Sequence, residues 1–298
     1  MTKRVLMFPG QGSQKLGMAA DLTEDIRELT RDIDFDVTAV MAEDETRLNQ
    51  TQYTQPAIVS HSAALLQSFD AEYDYTIGHS LGEYAALVAS GVLKAEDAIK
   101  IVAKRGELMA NAFPAGVGSM AAVLGLDYEE VEAICNEIST EDAVVEPANI
   151  NCPGQIVVSG HKTKIDELVA NGKSLGAKRV LPLNVSGPFH SSMMQVIADE
   201  FRSFIDQFEF KETAVPIVQN VAAVPETSVE VIKEQLIKQL YSPVHFEQSI
   251  RNLIDAGVTE FIEVGPGKVL GGLVRKISRD VTISSIETLE DMEGWKQS

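Results

Sequence analysis

The sequence predicts an α/β fold, a parallel sheet covered by helices on both faces and interrupted by a small inserted unit of ferredoxin-like order. Three observations carry this. Short apolar runs alternate with helical segments in the first and last parts of the chain, and parallel strands need helix-sized crossovers of that kind. Between residues 119 and 185 the order changes to β-α-β-β-α-β, the ferredoxin-like arrangement. With 45% apolar residues in 298 positions, the chain can bury a core of this size, which excludes wholesale disorder.

Residues 5–8 are an apolar run ended by Pro9-Gly10, a buried strand entering a loop over 9–14. Residues 21–47 carry ten Asp and Glu against Arg27, Arg31 and Arg47 and read as solvated helix surface. An apolar helix over 56–69, a strand over 73–78 and helices over 81–89 and 95–112 follow. The inserted unit has strands at 119–126, 144–150, 155–159 and 179–184, with helices over 128–138 and 162–175. The α/β rhythm resumes with a helix over 193–208, a strand over 216–221, helices over 229–240 and 246–256, and a strand over 261–264 ending in Gly265-Pro266-Gly267. The expected domains are a large one, 1–118 with 186–298, and a small one, 119–185.

The net charge of −19 argues against nonspecific nucleic-acid binding and against electrostatic docking on anionic membranes, both of which need clustered Lys and Arg. No run approaches the roughly 20 apolar residues of a membrane span, and the N-terminal run is too short for a secretory signal. Cys135 and Cys152 lie 17 residues apart with no CxxC and no histidine at metal spacing. They read as reduced thiols, and the expected location is the cytoplasm. No metal and no redox cofactor is implied.

The sharpest signal is Gly78-His79-Ser80-Leu81-Gly82. It matches G-x-S-x-G with a strand before it and a helix after it, the context of a nucleophile elbow. The helix N-terminus favours a developing anion there, and the Leu81 N–H is a natural oxyanion donor. A nucleophilic serine needs a base. His61 sits in an apolar helix and reads as a core or surface residue. His79 adjoins the serine and should point away from it, and His161 begins a polar helix. His190, after a strand and before a helix, and His245, in a loop, both stay open; position favours His190 modestly, because site residues of α/β sheets gather at such junctions. Arg105 by itself reads as a helix-surface charge. Gly265-Pro266-Gly267-Lys268 lacks the phosphate-loop pattern, and Gly10-Gln11-Gly12 lacks the third glycine of a dinucleotide fingerprint.

Four motifs occur in order: Phe8-Pro9-Gly10-Gln11-Gly12-Ser13-Gln14, Gly78 to Tyr84, Gly187-Pro188-Phe189-His190, and Glu263-Val264-Gly265-Pro266-Gly267-Lys268. Together, across nearly the whole chain, they resemble the malonyl-CoA:acyl-carrier-protein transacylases of type II fatty-acid synthesis. That resemblance implies an α/β-hydrolase-like large domain with an inserted ferredoxin-like small domain, and malonyl-CoA and acyl carrier protein as partners. It implies Ser80 as nucleophile and His190 as general base. Gln11 and Leu81 would supply the oxyanion hole through their backbone N–H groups, and Gln239 a backbone carbonyl that orients the histidine. Arg105 would hold the malonyl carboxylate, for which a fork of N–H donors is suited. Gln55 and Asn151 would line the pocket, and Phe189 would help exclude a methylmalonyl group. A carbonyl in place of the usual Asp or Glu makes the catalytic pair a dyad.

Two rival classes remain at this stage. A thioesterase on the same scaffold would discharge the acyl-serine to water, although a carboxylate-selecting Arg105 argues against a general esterase. A non-catalytic carrier-binding subunit is the other, and the intact Ser80, His190 and Arg105 argue against it. Acidic partners need local basic patches, and two runs qualify: 161–179, with Lys162, Lys164, Lys173, Lys178 and Arg179, and 268–279, with Lys268, Arg275, Lys276 and Arg279. Both are expected to flank the cleft.

Overall fold

The computed structural model describes residues 2–297. The chain opens with β1 (Lys3–Phe8) and three short helices, α1 (Thr23–Leu29), α2 (Val37–Glu43) and α3 (Glu45–Leu48), which lead into α4 (Thr51–Leu66). β2 (Tyr75–Gly78), α5 (Gly82–Ala89) and α6 (Ala95–Asn111) follow. Next come β3 (Gly118–Leu124), α7 (Tyr128–Ile138), β4 (Val145–Cys152), β5 (Gln155–His161), α8 (Lys162–Asn171) and β6 (Arg179–Pro182). A 3-10 turn over Ser192–Ile197 enters α9 (Ala198–Ile205), followed by β7 (Ile217–Val218), β8 (Pro225–Glu226), α10 (Val229–Gln239) and α11 (Phe246–Asp255). β9 (Val258–Val264), α12 (Val269–Ile277), β10 (Thr282–Ile286) and α13 (Leu289–Lys296) complete the described chain.

The large sheet has six strands in the order β10-β9-β1-β2-β7-β8, parallel except for β8. Both faces are covered, which is why β1 is apolar without alternation. Leu6 and Phe8 pack into the core made with α4, α5 and α6, while Val5 and Met7 face Phe246, Ile250 and Leu253 of α11 and Leu270, Leu273 and Val274 of α12.

The second sheet is antiparallel, in the order β4-β5-β3-β6, as the ferredoxin-like reading requires. Its strands alternate. Ala121 and Val123 of β3 and Ile156 and Val158 of β5 meet Val131 and Cys135 of α7 and Ile165 and Leu168 of α8. The residues between them, Met120 and Val157, join the core of the large sheet. The small sheet is also stitched by main chain to the segment between α10 and α11: Ile150 N–H donates to Val244 O (2.9 Å) and Val244 N–H to Ala148 O (2.8 Å).

Several edges differ from the sequence expectations. α4 begins at Thr51, not 56, with Pro56 in its interior. Proline removes one intrahelical hydrogen bond, and burial of nearly the whole helix outweighs that loss. Residues 192–197 are 3-10 rather than α. β8, β10 and α13 were not anticipated. β10 is a half-exposed, polar edge strand, and α13 is marked mainly by a capping box between Thr288 and Asp291. Both cysteines are free and buried, and no helix among the described residues is long and apolar enough to cross a membrane.

Candidate active site

Beyond the C-terminal end of β2 the chain turns sharply into α5. Gly78 and Gly82 face each other across this turn. A Cβ on Gly78 would collide with the Gly82–Glu83 backbone, and one on Gly82 with the Phe8 carbonyl. Ser80, between them, has φ 51, a left-handed conformation that costs a non-glycine residue about 1–3 kcal/mol and persists only where its surroundings impose it. Here they do. The Ser80 N–H donates to Asn220 Oδ1 (2.7 Å), and its carbonyl accepts from Gln239 Nε2 (3.0 Å).

Ser80 Oγ lies 2.7 Å from His190 Nε2. The other ring nitrogen, Nδ1, lies 2.7 Å from the Gln239 carbonyl. A carbonyl only accepts, so Nδ1 carries the hydrogen and Nε2 presents a lone pair to the serine. His190 is itself at φ 60, on the turn after Gly187-Pro188-Phe189. It is 4% exposed. Burial first, then the nearby Arg105 charge, pull its pKa down to about 3, against the stabilising Gln239 carbonyl. The imidazole is therefore neutral at ordinary pH, with its Nε2 lone pair turned to Ser80 Oγ.

Arg105 is 1% exposed, which overturns its reading as a surface charge: α6 lies against α4 and turns this position inward. Its Nη1 donates to Gln55 Oε1 (2.9 Å), and its Nη2 to Gln239 Oε1 (2.9 Å) and to Ser80 Oγ (3.2 Å). Its guanidinium carbon stands 5.7 Å from the centre of the Tyr84 ring. Burial lowers the Arg105 pKa, with Tyr84 and Glu83 opposing. The nearest acid, Glu83, is fully buried with its own pKa pushed up to about 7 by burial, partly offset by the N–H of Asn220 that it accepts. Among the described residues no carboxylate forms an ion pair with the guanidinium, and its donors reach neutral oxygens that a ligand carboxylate can replace.

A cavity of about 100 Å³ opens on Ser80, His190 and Arg105, walled by Gln11, Leu81, Met109, Met120 and Phe189 among others. Among the described residues, neither the Gln11 nor the Leu81 N–H donates to a protein acceptor. Two free donors beside a hydroxyl are what a developing oxyanion needs.

The structure thus brings together Ser80, His190, Arg105, Gln11, Leu81, Gln239 and Phe189. It places Gln55 behind Arg105. Asn151 lies outside the cavity wall, with its Oδ1 2.7 Å from His79 Nε2; Asn149 lines the cavity instead. Register breaks at Pro147/Asn149 and Ile150/Cys152 in β4 explain the shift, because a bulge re-aims the side chains beside it. His61 is wholly buried against the Glu287 carbonyl. His161 accepts the Val144 N–H, and His245 precedes α11 and does not wall the cavity. The roles of Asn220, of Glu83 and of the Gln239 side chain were missed; Glu83 lies within the motif around Ser80, one helical turn on, but nothing in a single sequence marks Asn220 or the Gln239 side chain as neighbours of Ser80.

The two basic runs do not wall this cavity. Lys162 and Lys164 pair with Asp166 and Glu167 on their own helix. Arg275, Lys276 and Arg279 line a separate hollow of about 920 Å³ with Pro153. No group of His, Cys, Asp and Glu among the described residues is placed to hold a metal ion.

Comparison with known proteins agrees with this geometry. Residues 5–292 match the family model of the acyl transferase domain. A malonyl CoA-acyl carrier protein transacylase of Staphylococcus aureus is 58% identical over 307 aligned positions, covering 100% of both chains. The crystal structure of an acyl carrier protein S-malonyltransferase from Vibrio cholerae superposes with a TM-score of 0.93 at 38% identity, covering 99% of this chain and 100% of that one. A malonyl-transacylase in complex with a type II polyketide-synthase acyl-carrier protein gives a TM-score of 0.94 at 35% identity, with 100% of each chain covered.

Proposed function

This chain belongs to the acyl transferase family and, within it, to the malonyl CoA-acyl carrier protein transacylases, and from that premise we infer its reaction. It transfers a malonyl group from malonyl-CoA to the phosphopantetheine thiol of acyl carrier protein, a loading step of fatty-acid biosynthesis. The observation that carries the reading is the contact of one atom, Ser80 Oγ, with both His190 Nε2 at 2.7 Å and Arg105 Nη2 at 3.2 Å. Nucleophile, base and carboxylate anchor meet there.

We propose these roles. His190 takes the Ser80 proton as Oγ bonds to the thioester carbon. The oxyanion rests on the N–H groups of Leu81 and Gln11. The carbon–sulfur bond then breaks, and His190 returns its proton to the departing CoA sulfur. In the second half-reaction His190 takes the proton of the carrier thiol as its sulfur bonds to the ester carbon; the carbon–oxygen bond to Ser80 then breaks, and His190 returns the proton to Ser80 Oγ. Arg105, held by Gln55 and Gln239, keeps the carboxylate in place through both halves. Gln239 also orients His190 through its carbonyl, so the imidazolium forms without an acidic third member. Phe189 walls the acyl group; excluding one methyl is worth only about 1–3 kcal/mol. Asn151 acts through His79 rather than on the substrate.

The division into 1–118 with 186–298 and an inserted 119–185 is supported by β3 to β6 forming their own sheet. A cytoplasmic location fits the free thiols. Neither the hydrolase nor the non-catalytic reading draws support from the relatives. Mass spectrometry after mixing with malonyl-CoA tests the assignment. A malonyl adduct on Ser80 that discharges to holo carrier protein is the expected result. An unmodified protein, or discharge to water at the same rate without the carrier, overturns it.

A further inference from the structure

The Ser80 elbow is held by a side chain that never reaches the cavity. Asn220 lies just beyond β7, the strand beside β2, and is completely buried. Its amide spans both sides of the nucleophile. Oδ1 accepts the Ser80 N–H at 2.7 Å and Gln239 Nε2 at 3.2 Å. Nδ2 donates to the Gly78 carbonyl at 2.7 Å. Its own N–H is taken by the buried Glu83 carboxyl. Gln239 extends the chain of contacts, donating to the Ser80 carbonyl, accepting from Arg105 and receiving the His190 Nδ1–H on its carbonyl.

We propose that Asn220 is the positioning residue of this site, a clamp that imposes the left-handed backbone of Ser80 and, through Gln239, registers the nucleophile against both His190 and Arg105. The physical case rests on three points. An αL serine needs surroundings that over-determine it, and Asn220 supplies a hydrogen bond on each side of the turn. A buried amide held this way has one rotamer, because flipping it would set Nδ2 against the Ser80 N–H and Oδ1 against the Gly78 carbonyl. The Leu81 N–H belongs to the peptide whose Ser80 carbonyl accepts from Gln239 Nε2, and Asn220 Oδ1 accepts from that same Nε2, so the clamp reaches an oxyanion donor through Gln239. A displacement near 1 Å at such a centre is enough to cost about 10²-fold in rate.

This rests on the malonyl-transfer reading, and the test separates the two. Malonyl loading of Ser80 and its discharge to holo carrier protein are timed for the wild type, Asn220→Ala and Asn220→Asp. Malonyl-CoA affinity is measured by calorimetry in Ser80→Ala and in Ser80→Ala/Asn220→Ala. A wild type that does not load malonate refutes the function itself. If it loads, the clamp predicts that Asn220→Ala slows loading about 10²-fold, while the affinity of the Ser80→Ala pair changes less than threefold, since Asn220 does not touch the cavity. Loading by Asn220→Ala within threefold of wild type overturns the proposal. Affinity falling in parallel with rate also overturns it, because that is the mark of general damage.

Asn220→Asp keeps the acceptor for Ser80 and, when protonated, a donor for Gly78. Position 220 is faced by Glu83 from α5 and by His245, whose N–H donates to the Asn220 carbonyl (3.0 Å) from the start of α11, with Arg105 and His190 reached through Gln239. Asn220→Asp should therefore recover activity relative to wild type as pH falls from 8 to 5.5, and an unchanged ratio across that range counts against the clamp. This second variant carries the test if Asn220→Ala fails to fold.

Discussion

The two sheets handle polarity in opposite ways. Every buried charged or imidazole side chain, namely His61, Glu83, Arg105, His190 and Glu263, belongs to the large parallel sheet and its helices. The small sheet presents to α7 and α8 a face of Ala, Val and Ile, and these helices meet it with apolar side chains and one α7 thiol, Cys135, whose pKa burial pushes up to about 12. Its opposite face gives Met120 and Asn149 to the cavity wall. Parallel strands end together, so the loops beyond their C-terminal ends bring groups distant in sequence into one crevice. Antiparallel strands send neighbouring residues to opposite faces. One sheet therefore gathers the chemistry, while the other supplies a wall on one face and stability on the other.

Substitutions can break this contrast, starting with the largest effect. His190→Ala should slow malonyl loading of Ser80 by at least about 10³-fold, read by quenched-flow mass spectrometry, with the fold intact by circular dichroism. Arg105→Lys should lower kcat/KM for malonyl-CoA about 10²-fold, because a point charge replaces a planar fork. Acetyl-CoA, which has no carboxylate, should be affected far less. Equal losses with both thioesters would remove the carboxylate role.

The two faces of the small sheet can then be compared directly. Met120→Ala opens the cavity and should raise kcat/KM for methylmalonyl-CoA relative to malonyl-CoA about tenfold or more. Leu168→Ala, on α8 where it packs against the other face, should cost about 2–5 kcal/mol in chemical unfolding and leave kcat within twofold. A large rate effect from Leu168→Ala would show that the faces are not independent.

The smallest expected effect is on pH dependence. Glu83 and Glu263, both raised to about 7 by burial, bind protons more readily folded than unfolded. Their contribution to stability is complete below about 4.5 and is lost as pH rises through about 7. His190, lowered to about 3, does the reverse: its contribution is complete above 6.5 and is lost as pH falls toward 3. Below pH 6.5 the two effects oppose each other; melting temperature should therefore decline from about pH 6.5 to pH 8, and Glu83→Gln should flatten that limb.

Much of this was legible in the chain. Apolar runs such as 5–8 revealed buried strands because both faces of a parallel sheet are covered. The spacing of Gly78, Ser80 and Gly82 revealed the elbow because a tight turn leaves its mark on local sequence. Short or polar edges such as β8 and β10 left little mark, since an edge strand needs few apolar residues. A bulge moves Asn149 into the cavity wall and Asn151 behind it, and such slips are invisible to an alternating pattern.

The sequence by itself determined the α/β class and pointed to the inserted unit, to Ser80 as the proposed nucleophile and, through resemblance, to His190 and Arg105. These follow from local periodicity, turn chemistry and motifs that survive as short strings. Only the tertiary structure decided that Arg105 is buried without an ion-paired carboxylate, that the Gln239 side chain joins three functional residues, and that Asn220 and Glu83 stand behind Ser80. Positions 80 and 220 meet because β2 and β7 pair, and pairing between distant segments is a property of the packed chain rather than of either stretch.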